Sequence, residues 1–327
     1  MSHQTLDDIE ALTKKALVAH GATVFAATEV ARAVRQAEGR GNKICGLYYV
    51  ESYCLQLRSG RVVGDTSPVV TTPRPATVHV DAGYGFAQPA FALGLVPALD
   101  AARQFGTATL AVGHAHTCTS LGYFTEQIAR AGFIGVGFTN ASPIVAPPGG
   151  KTRVIGTNPI ACSVPDGAGD IAMQFDQSTT TVALGKITMA QAAGQQIPLG
   201  WALDETGAPT TDPEAALKGS LVSMGGYKGW GFGLMAEILA AGMTGSVLSR
   251  DVKPLKAPTG PHHDLGQFYI LIDPGTSPGF AARVAALAEA VGLDEGARMP
   301  GQRLEMADPV HVGAPIWSRL LELANGP

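Results

Sequence analysis

Gly225-Gly-Tyr-Lys-Gly-Trp-Gly-Phe-Gly233 opens directly into the apolar stretch Trp230–Ala241. A helix start presents unpaired N–H groups and a partial positive charge. Glycines there let phosphate oxygens reach the backbone, and Lys228 adds a full charge. The same glycines would also let a helix pack closely on a neighbour. Position decides what the stretch is not. A dinucleotide fingerprint follows a strand early in a βαβ unit, whereas this segment follows a loop-like region, Ile197–Gly219, late in the chain. The P-loop pattern GxxxxGK[ST] is not met either. The reading is a phosphate-binding helix start in a fold that is neither Rossmann nor P-loop.

Outward from there, the periodicity agrees. Leu6–His20, Ala26–Glu38 and roughly Leu47–Leu57 carry apolar residues at helical spacing, the first two linked through Gly21 and the last two through Gly39–Gly46. From Val62 the texture turns to β-branched runs: Val69–Thr72, Thr77–Val80 and Thr109–Val112, with Pro97–Phe105 as a helix. Phe133–Asn140, Arg153–Val164, Ile171–Phe175 and Phe268–Ile272 read as further strands, and Thr188–Gln195, Pro278–Val291 and Pro315–Leu323 as helices. No regular βαβ rhythm emerges, which argues against a doubly wound parallel sheet. The organisation expected is an α/β core over residues 63–311 with a cofactor-binding part at about 115–275. A helical domain, residues 1–62 joined by a helix at about 312–327, completes it.

Composition narrows the function. The 327 residues include 23 basic and 27 acidic side chains, a formal charge of −4, with no basic run that would track nucleic acid. The four cysteines lack CxxC spacing, and the N-terminal stretch has acidic residues instead of an apolar signal. No run of 18 apolar residues occurs. A soluble, cytoplasmic protein with free thiols and a small-molecule substrate is expected, with neither membrane nor nucleic acid as partner.

Four further segments can carry chemistry. Gly156-Thr-Asn-Pro159 interrupts a strand pattern, and offers a hydroxyl and an amide at the break. His114-Ala-His116 would put two imidazoles on one face of an extended chain. That suits a metal if His262-His-Asp264 joined them, a general acid/base, or an ordinary hydrogen-bonded histidine. Asp176 ends a strand and precedes Gln177-Ser-Thr-Thr-Thr181, so it suits ribose hydroxyls, an imidazole or a helix cap. Arg298-Met-Pro-Gly-Gln-Arg303 sets two guanidinium groups around a turn, which suits a phosphate.

Taken together, these segments resemble the type-2 malate/L-lactate dehydrogenase family, whose relatives include sulfolactate, ureidoglycolate and diketogulonate dehydrogenases and cyclic ketimine reductases. The resemblance spans nearly the whole chain. It rests on Gly156-Thr-Asn-Pro-Ile-Ala161, Pro198-Leu-Gly-Trp-Ala-Leu-Asp204, Pro209-Thr-Thr-Asp-Pro213, Gly225-Gly-Tyr-Lys-Gly229 and Met299-Pro-Gly301, in that order. It implies an α/β fold with a mixed, largely antiparallel, non-Rossmann nicotinamide-binding sheet, and a homodimer or higher homo-oligomer. It implies hydride transfer between NAD or NADP and a small 2-hydroxy/2-oxo acid, or reduction of a cyclic ketimine. The matching positions put Thr117, Thr119, Ser120, Asp176, Gln177, Ser178, Tyr227, Lys228, Arg298, Pro300, Gly301 and Arg303 along the cofactor. They put Thr157 and Asn158 at the substrate, and make His116 the acid/base.

One departure stands out. The family carries Ser-His-Gly before its third helix, with an arginine four residues after that histidine. Here Ile44-Cys45-Gly46 and Tyr49 occupy those positions. A fork-shaped cation has become a phenol, so Cys45 and Tyr49 are expected to shape a different substrate pocket, with Lys43, Arg40 or another cation in the arginine's place. Two readings from other classes are a metal-dependent hydrolase using His114 and His116, and a cofactor-binding protein without turnover.

Overall fold

The computed structural model describes residues 2–302 and 305–326. A short strand β1 (Ser2–Gln4) leads into helices α1 (Leu6–Ala19) and α2 (Val24–Gly39). Both helices are capped locally: the Thr5 and Thr23 hydroxyls accept N–H groups three residues on, from Asp8 and Ala26. Two single-turn helices, Lys43–Cys45 and Leu47–Tyr49, then lead to α3 (Val50–Arg58).

The core sheet follows: β2 (Val69–Arg74), β3 (Thr77–Asp81), α4 (Ala87–Phe105), β4 (Thr107–Ala115), α5 (Gly122–Arg130), β5 (Ile134–Thr139), β6 (Ile160–Pro165) and β7 (Ile171–Gln177). Next come α6 (Leu184–Ala192), a small sheet of β8 (Ala202–Leu203), β9 (Pro209–Thr210) and β10 (Ser220–Leu221), and α7 (Pro213–Lys218) between its last two strands. Helix α8 (Tyr227–Glu237) ends in a wide turn over Ile238–Gly242, and β11 (Leu265–Ile272), α9 (Phe280–Val291), β12 (Val310–Val312) and α10 (Ala314–Ala324) complete the chain.

Seven strands form one sheet in the order β2-β3-β4-β11-β5-β6-β7. Only β3 and β4 run parallel, bridged by α4, and every other pairing is antiparallel. The mixed, largely antiparallel α/β architecture is thus as expected. Helices α4 and α5 cover one face, burying Phe91, Phe124 and Ile128 against Leu110, Val112 and Tyr269. A separate core unites α1, α2, α3 and α10 through Ile9, Leu17, Val30, Tyr53, Leu320 and Leu323. Strands β1 and β12 pair antiparallel and tie the two ends of the described chain together.

Several elements differ from the sequence reading. Helix α4 begins ten residues before Pro97, which it carries inside it. The run Arg153–Val164 is not one strand: Ile155 makes an isolated bridge with Val145, Asn158 sits at φ +37° and Pro159 lacks an N–H, so pairing in the main sheet starts at Ile160. The loop-like region 197–219 contains β8, β9 and α7, whose Asp212 cap and Pro213 start are short-range signals too brief for a periodicity reading. Helix α6 lies four residues earlier than Thr188.

Candidate active site

A cleft of about 440 Å³ opens between α2, the β4–α5 link, β7 and the turn at 298–301. Six residues expected along a cofactor line it together: Ser120, Asp176, Gln177, Arg298, Pro300 and Gly301. The turn is seated on β7, where Gln174 N–H donates to the Pro300 carbonyl at 2.9 Å. Gly301 has φ +81°, and a Cβ there would lie 2.8 Å from the Gln174 backbone, so only glycine fits. Arg298 is exposed at the mouth and has no hydrogen-bond or ion-pair partner among the described residues. Asp176 accepts the Gly122 N–H at 2.8 Å and the Ser120 hydroxyl at 3.3 Å, and so caps the start of α5.

The opposite wall belongs to α2, through Gln36, Ala37 and Arg40. Arg40 reaches Glu126 at 2.6 Å and donates to Gln174 at 2.8 Å, which locks α2, α5 and β7 to one another. That commitment removes Arg40 as a substrate cation. Lys43 donates to the His311 carbonyl at 3.2 Å. Lys256 instead places its ammonium over the rings of Tyr48 and Tyr49, 3.4 and 5.4 Å from their centroids.

Cys45 and Tyr49 sit on the two single-turn helices before α3. Gly46 between them is packed on Glu38, whose carboxylate accepts the Leu47 N–H at 2.8 Å; a Cβ at Gly46 would overlap that carboxylate. Tyr49 stacks on Tyr53 at 5.9 Å. Burial pushes the Cys45 thiol up to about 12, with Asp176 adding to the effect. Burial pushes the Tyr49 phenol up to about 12 as well. Both groups stay neutral around pH 7.

The two histidines of His114-Ala-His116 do not share a face. The register between β4 and β11 shifts between Leu265 and Gln267, and His114 takes φ +50°, so a bulge breaks the alternation. His114 lies 3.2 Å from Asp81. His116 is 1% exposed, stacked at 3.9 Å on His263 and edged by Tyr53 and Phe86. Among the described residues no group of three or more His, Cys, Asp or Glu is placed to hold a metal ion.

Gln56, fully buried on α3, meets His116 Nε2 through Oε1 at 2.7 Å. Its amide nitrogen donates to the Leu255 and Ala257 carbonyls at 2.7 and 2.8 Å. Only an N–H can serve two carbonyls, so the amide orientation is determined and His116 must donate from Nε2. Nδ1 is buried and has no hydrogen-bond partner of normal geometry among the described residues. Burial, reinforced by His263 and Arg61 and opposed by the Thr117 backbone, holds His116 well below the usual histidine range. His263 is pushed down to about 3 by burial and by Arg61.

The remaining expected residues are arranged around this core. Thr117 and Thr119 carry the chain from His116 to Ser120; the Thr117 N–H points at His263 Nδ1, 3.4 Å away, and Thr119 Oγ1 donates to the Cys118 carbonyl. Thr157 is half-buried, and its hydroxyl has no partner among the described residues. Asn158 is fully buried, with its amide donating to the Gly233 carbonyl at 3.1 Å and to Glu237 at 2.7 Å. Its place is therefore structural: it pins the Thr157 break to α8 instead of facing a ligand. Ser178 bonds Thr180, and the Thr179–Thr181 backbone is hydrogen-bonded to residues 222–224 ahead of α8. Tyr227 and Lys228 are exposed at the start of α8, outside the 440 Å³ cleft. Arg303 lies outside the described residues.

Comparison with known proteins places this geometry. The profile of the malate/L-lactate dehydrogenase family matches residues 5–309. The chain belongs to the malate/L-lactate dehydrogenase family. It is an enzyme of the NAD(P)-dependent oxidoreductase class. A (2R)-3-sulfolactate dehydrogenase (NADP(+)) of Chromohalobacter salexigens is 39% identical over 300 residues, covering 91% of this chain and 90% of that protein. A Delta(1)-pyrroline-2-carboxylate/Delta(1)-piperideine-2-carboxylate reductase of Pseudomonas aeruginosa is 34% identical, covering 93% and 92%. The crystal structure of the delta1-piperideine-2-carboxylate reductase of Pseudomonas syringae pv. tomato superposes with a TM-score of 0.90 at 32% identity, covering 99% of this chain and 100% of that one.

Within this malate/L-lactate dehydrogenase family member, five residues escaped the sequence reading: Gln36, Gln174, Lys256, Tyr53 and Gln56. The signal for the last two was present. A tyrosine and a glutamine three apart on the apolar face of α3 are polar groups facing inward, and a buried polar group needs a partner.

Proposed function

We propose that the enzyme moves a hydride between NADP(H) and a small 2-hydroxy/2-oxo acid, with His116 Nδ1 as the atom that exchanges the proton. The orphaned Nδ1 carries the reading: a buried acceptor without a partner is a place prepared for a donor, here the substrate hydroxyl. The nicotinamide supplies the hydride chemistry when bound. Ser120, Asp176, Gln177 and the 298–301 turn would hold the dinucleotide, with Ser178, Tyr227 and Lys228 continuing its track. The unpaired Arg298 suits the extra phosphate of NADP(H). Thr157, Cys45 and Tyr49 would border the substrate, and Lys256 supplies the cation that Tyr49 no longer does.

His116 is neutral in the resting enzyme, so its lone pair takes the hydroxyl proton as the alcohol is oxidised. In the reverse direction that proton returns to the developing oxyanion. Replacing His116 by Asn should lower kcat by ~10²–10⁴-fold while NADPH binding, read by fluorescence, is unchanged. Undiminished turnover in that variant would remove His116 from the role.

A second reading is favoured by the neutral lining at Cys45 and Tyr49 and by the reductases at 34% identity. A cyclic ketimine carries its own proton, so it asks less of an acid than an oxo acid does. Rates with a cyclic imino acid and with 2-oxo acids, under NADPH, separate the two. We further propose a cytoplasmic homodimer. The exposed Phe232, Met235 and Ile238 at the end of α8 support a subunit contact, and the four free cysteines suit a reducing compartment. Residues 1–62 with 312–327 would act as one unit against the 63–311 core.

A further inference from the structure

We infer that Gln56 is a positioning residue, one that fixes which nitrogen of His116 meets the substrate and clips the 255–257 loop to that choice. The inference rests on the reading of His116 given above.

The geometry leaves the amide no alternative. If Gln56 were turned over, its oxygen would face two carbonyl oxygens and its N–H₂ would face His116. The observed pattern instead spends both N–H groups on Leu255 and Ala257 and offers oxygen to the imidazole. His116 therefore holds its proton on Nε2 and exchanges with substrate through Nδ1 alone. An imidazole whose second nitrogen is held by a conformationally locked partner has one usable tautomer, and a ligand that needs a lone pair then finds one on every encounter. The groups facing His116 come from three directions: Tyr53 on α3, Arg61 after it, and His263 from the segment before β11. Arg61 has only N–H groups, His263 is stacked face to face and the Tyr53 phenol is hydrogen-bonded to Thr119, so none of the three takes over from Gln56; the Thr117 backbone also lies against the ring.

The same amide reports on the loop. Leu255 and Ala257 flank Lys256, so the bonds that set the tautomer also set where the ammonium over Tyr49 can stand. Gln56 thus links the proton-exchanging atom to the cation proposed for the substrate carboxylate.

Two variants and one spectrum test this. In ¹⁵N-histidine-labelled enzyme, with His116 assigned by the missing signal in His116→Asn, the resonances should report the Nε2–H form alone. Gln56→Met should populate the Nδ1–H form and lower kcat by roughly ten-fold or more. Gln56→Glu should keep an acceptor at Nε2 and so the Nε2–H form, lose the two bonds to the loop, and move the acid limb of kcat/KM for alcohol oxidation upward by about one pH unit or more, because a carboxylate favours the imidazolium. An Nδ1–H signal in the unaltered enzyme overturns the inference, as does a Gln56→Met enzyme that keeps the Nε2–H form and full kcat. So does a Gln56→Glu profile that superposes on the parent. An active His116→Asn enzyme would instead sink the role of His116 while leaving the tautomer measurement to decide on Gln56.

Discussion

At His263 and His116, burial works against charge. Both imidazoles are held neutral, His263 down to about 3 and His116 well below the usual range, while in the unfolded chain each titrates near its ordinary value. The native state thus binds fewer protons than the unfolded state once the pH drops below about 6.5, so stability must fall with pH from there downward. Each such histidine contributes a slope approaching ~1.4 kcal/mol per pH unit. Urea titrations between pH 7.5 and 5 should show that loss, and His263→Phe should flatten part of it; a parent enzyme equally stable at both ends would contradict the buried neutral pair. Residue by residue, what the sequence revealed followed range. Asp176, Arg298 and Gly301 sit in short polar segments whose chemistry is visible locally, and they do line one cleft. Gln56 does not announce itself, and neither does the bracing role of Arg40, because their partners lie 60 or more positions away in the chain.

Among the elements, long helices with an apolar period were readable, and α1 and α2 carry their own caps as well. Thr5 and Thr23 precede α1 and α2 and bond within them. Helix α5 starts on a glycine, and its first N–H is satisfied by Asp176, 54 residues downstream. No window of sequence contains that information. The glycine-rich start of α8 divides its labour: Gly225 and Gly226 take positive φ at the entrance, while Gly229 and Gly233 admit Met224 and Ile155 against the helix. The close packing expected of these glycines is therefore found at Gly229 and Gly233. The loop over Leu255–Ala257 gives the prediction at this scale. Lys256→Ala should raise KM for a carboxylate substrate by about ten-fold, the loss of one charge-assisted contact, with kcat within roughly three-fold. A neutral carbonyl substrate should show no such penalty, and equal effects on both would take Lys256 out of carboxylate binding.

For the molecule as a whole, the irregular order of strands was already apparent as the lack of a βαβ rhythm, and the sheet carries a single parallel pair. The pairing β1–β12 was not apparent, since three-residue strands fall below any periodicity. The core that joins α1, α2, α3 and α10 is closed by Leu320, 2% exposed. Leu320→Ala should destabilise the fold by ~2–5 kcal/mol, measured as a lower urea midpoint. A change within about 0.5 kcal/mol would mean that α10 is only an accessory to that core.

The wall that α2 lends to the cofactor cleft leans on this same core. Leu320 and Leu323 join that core from α10, which packs on α1 and α3 and is made long after α2. Synthesis runs from the N-terminus, and a helix whose apolar face has no cover gains little from forming early. The support behind the α2 wall is therefore complete only once α10 has been made. Until then the α1–α2 hairpin keeps part of its apolar face uncovered.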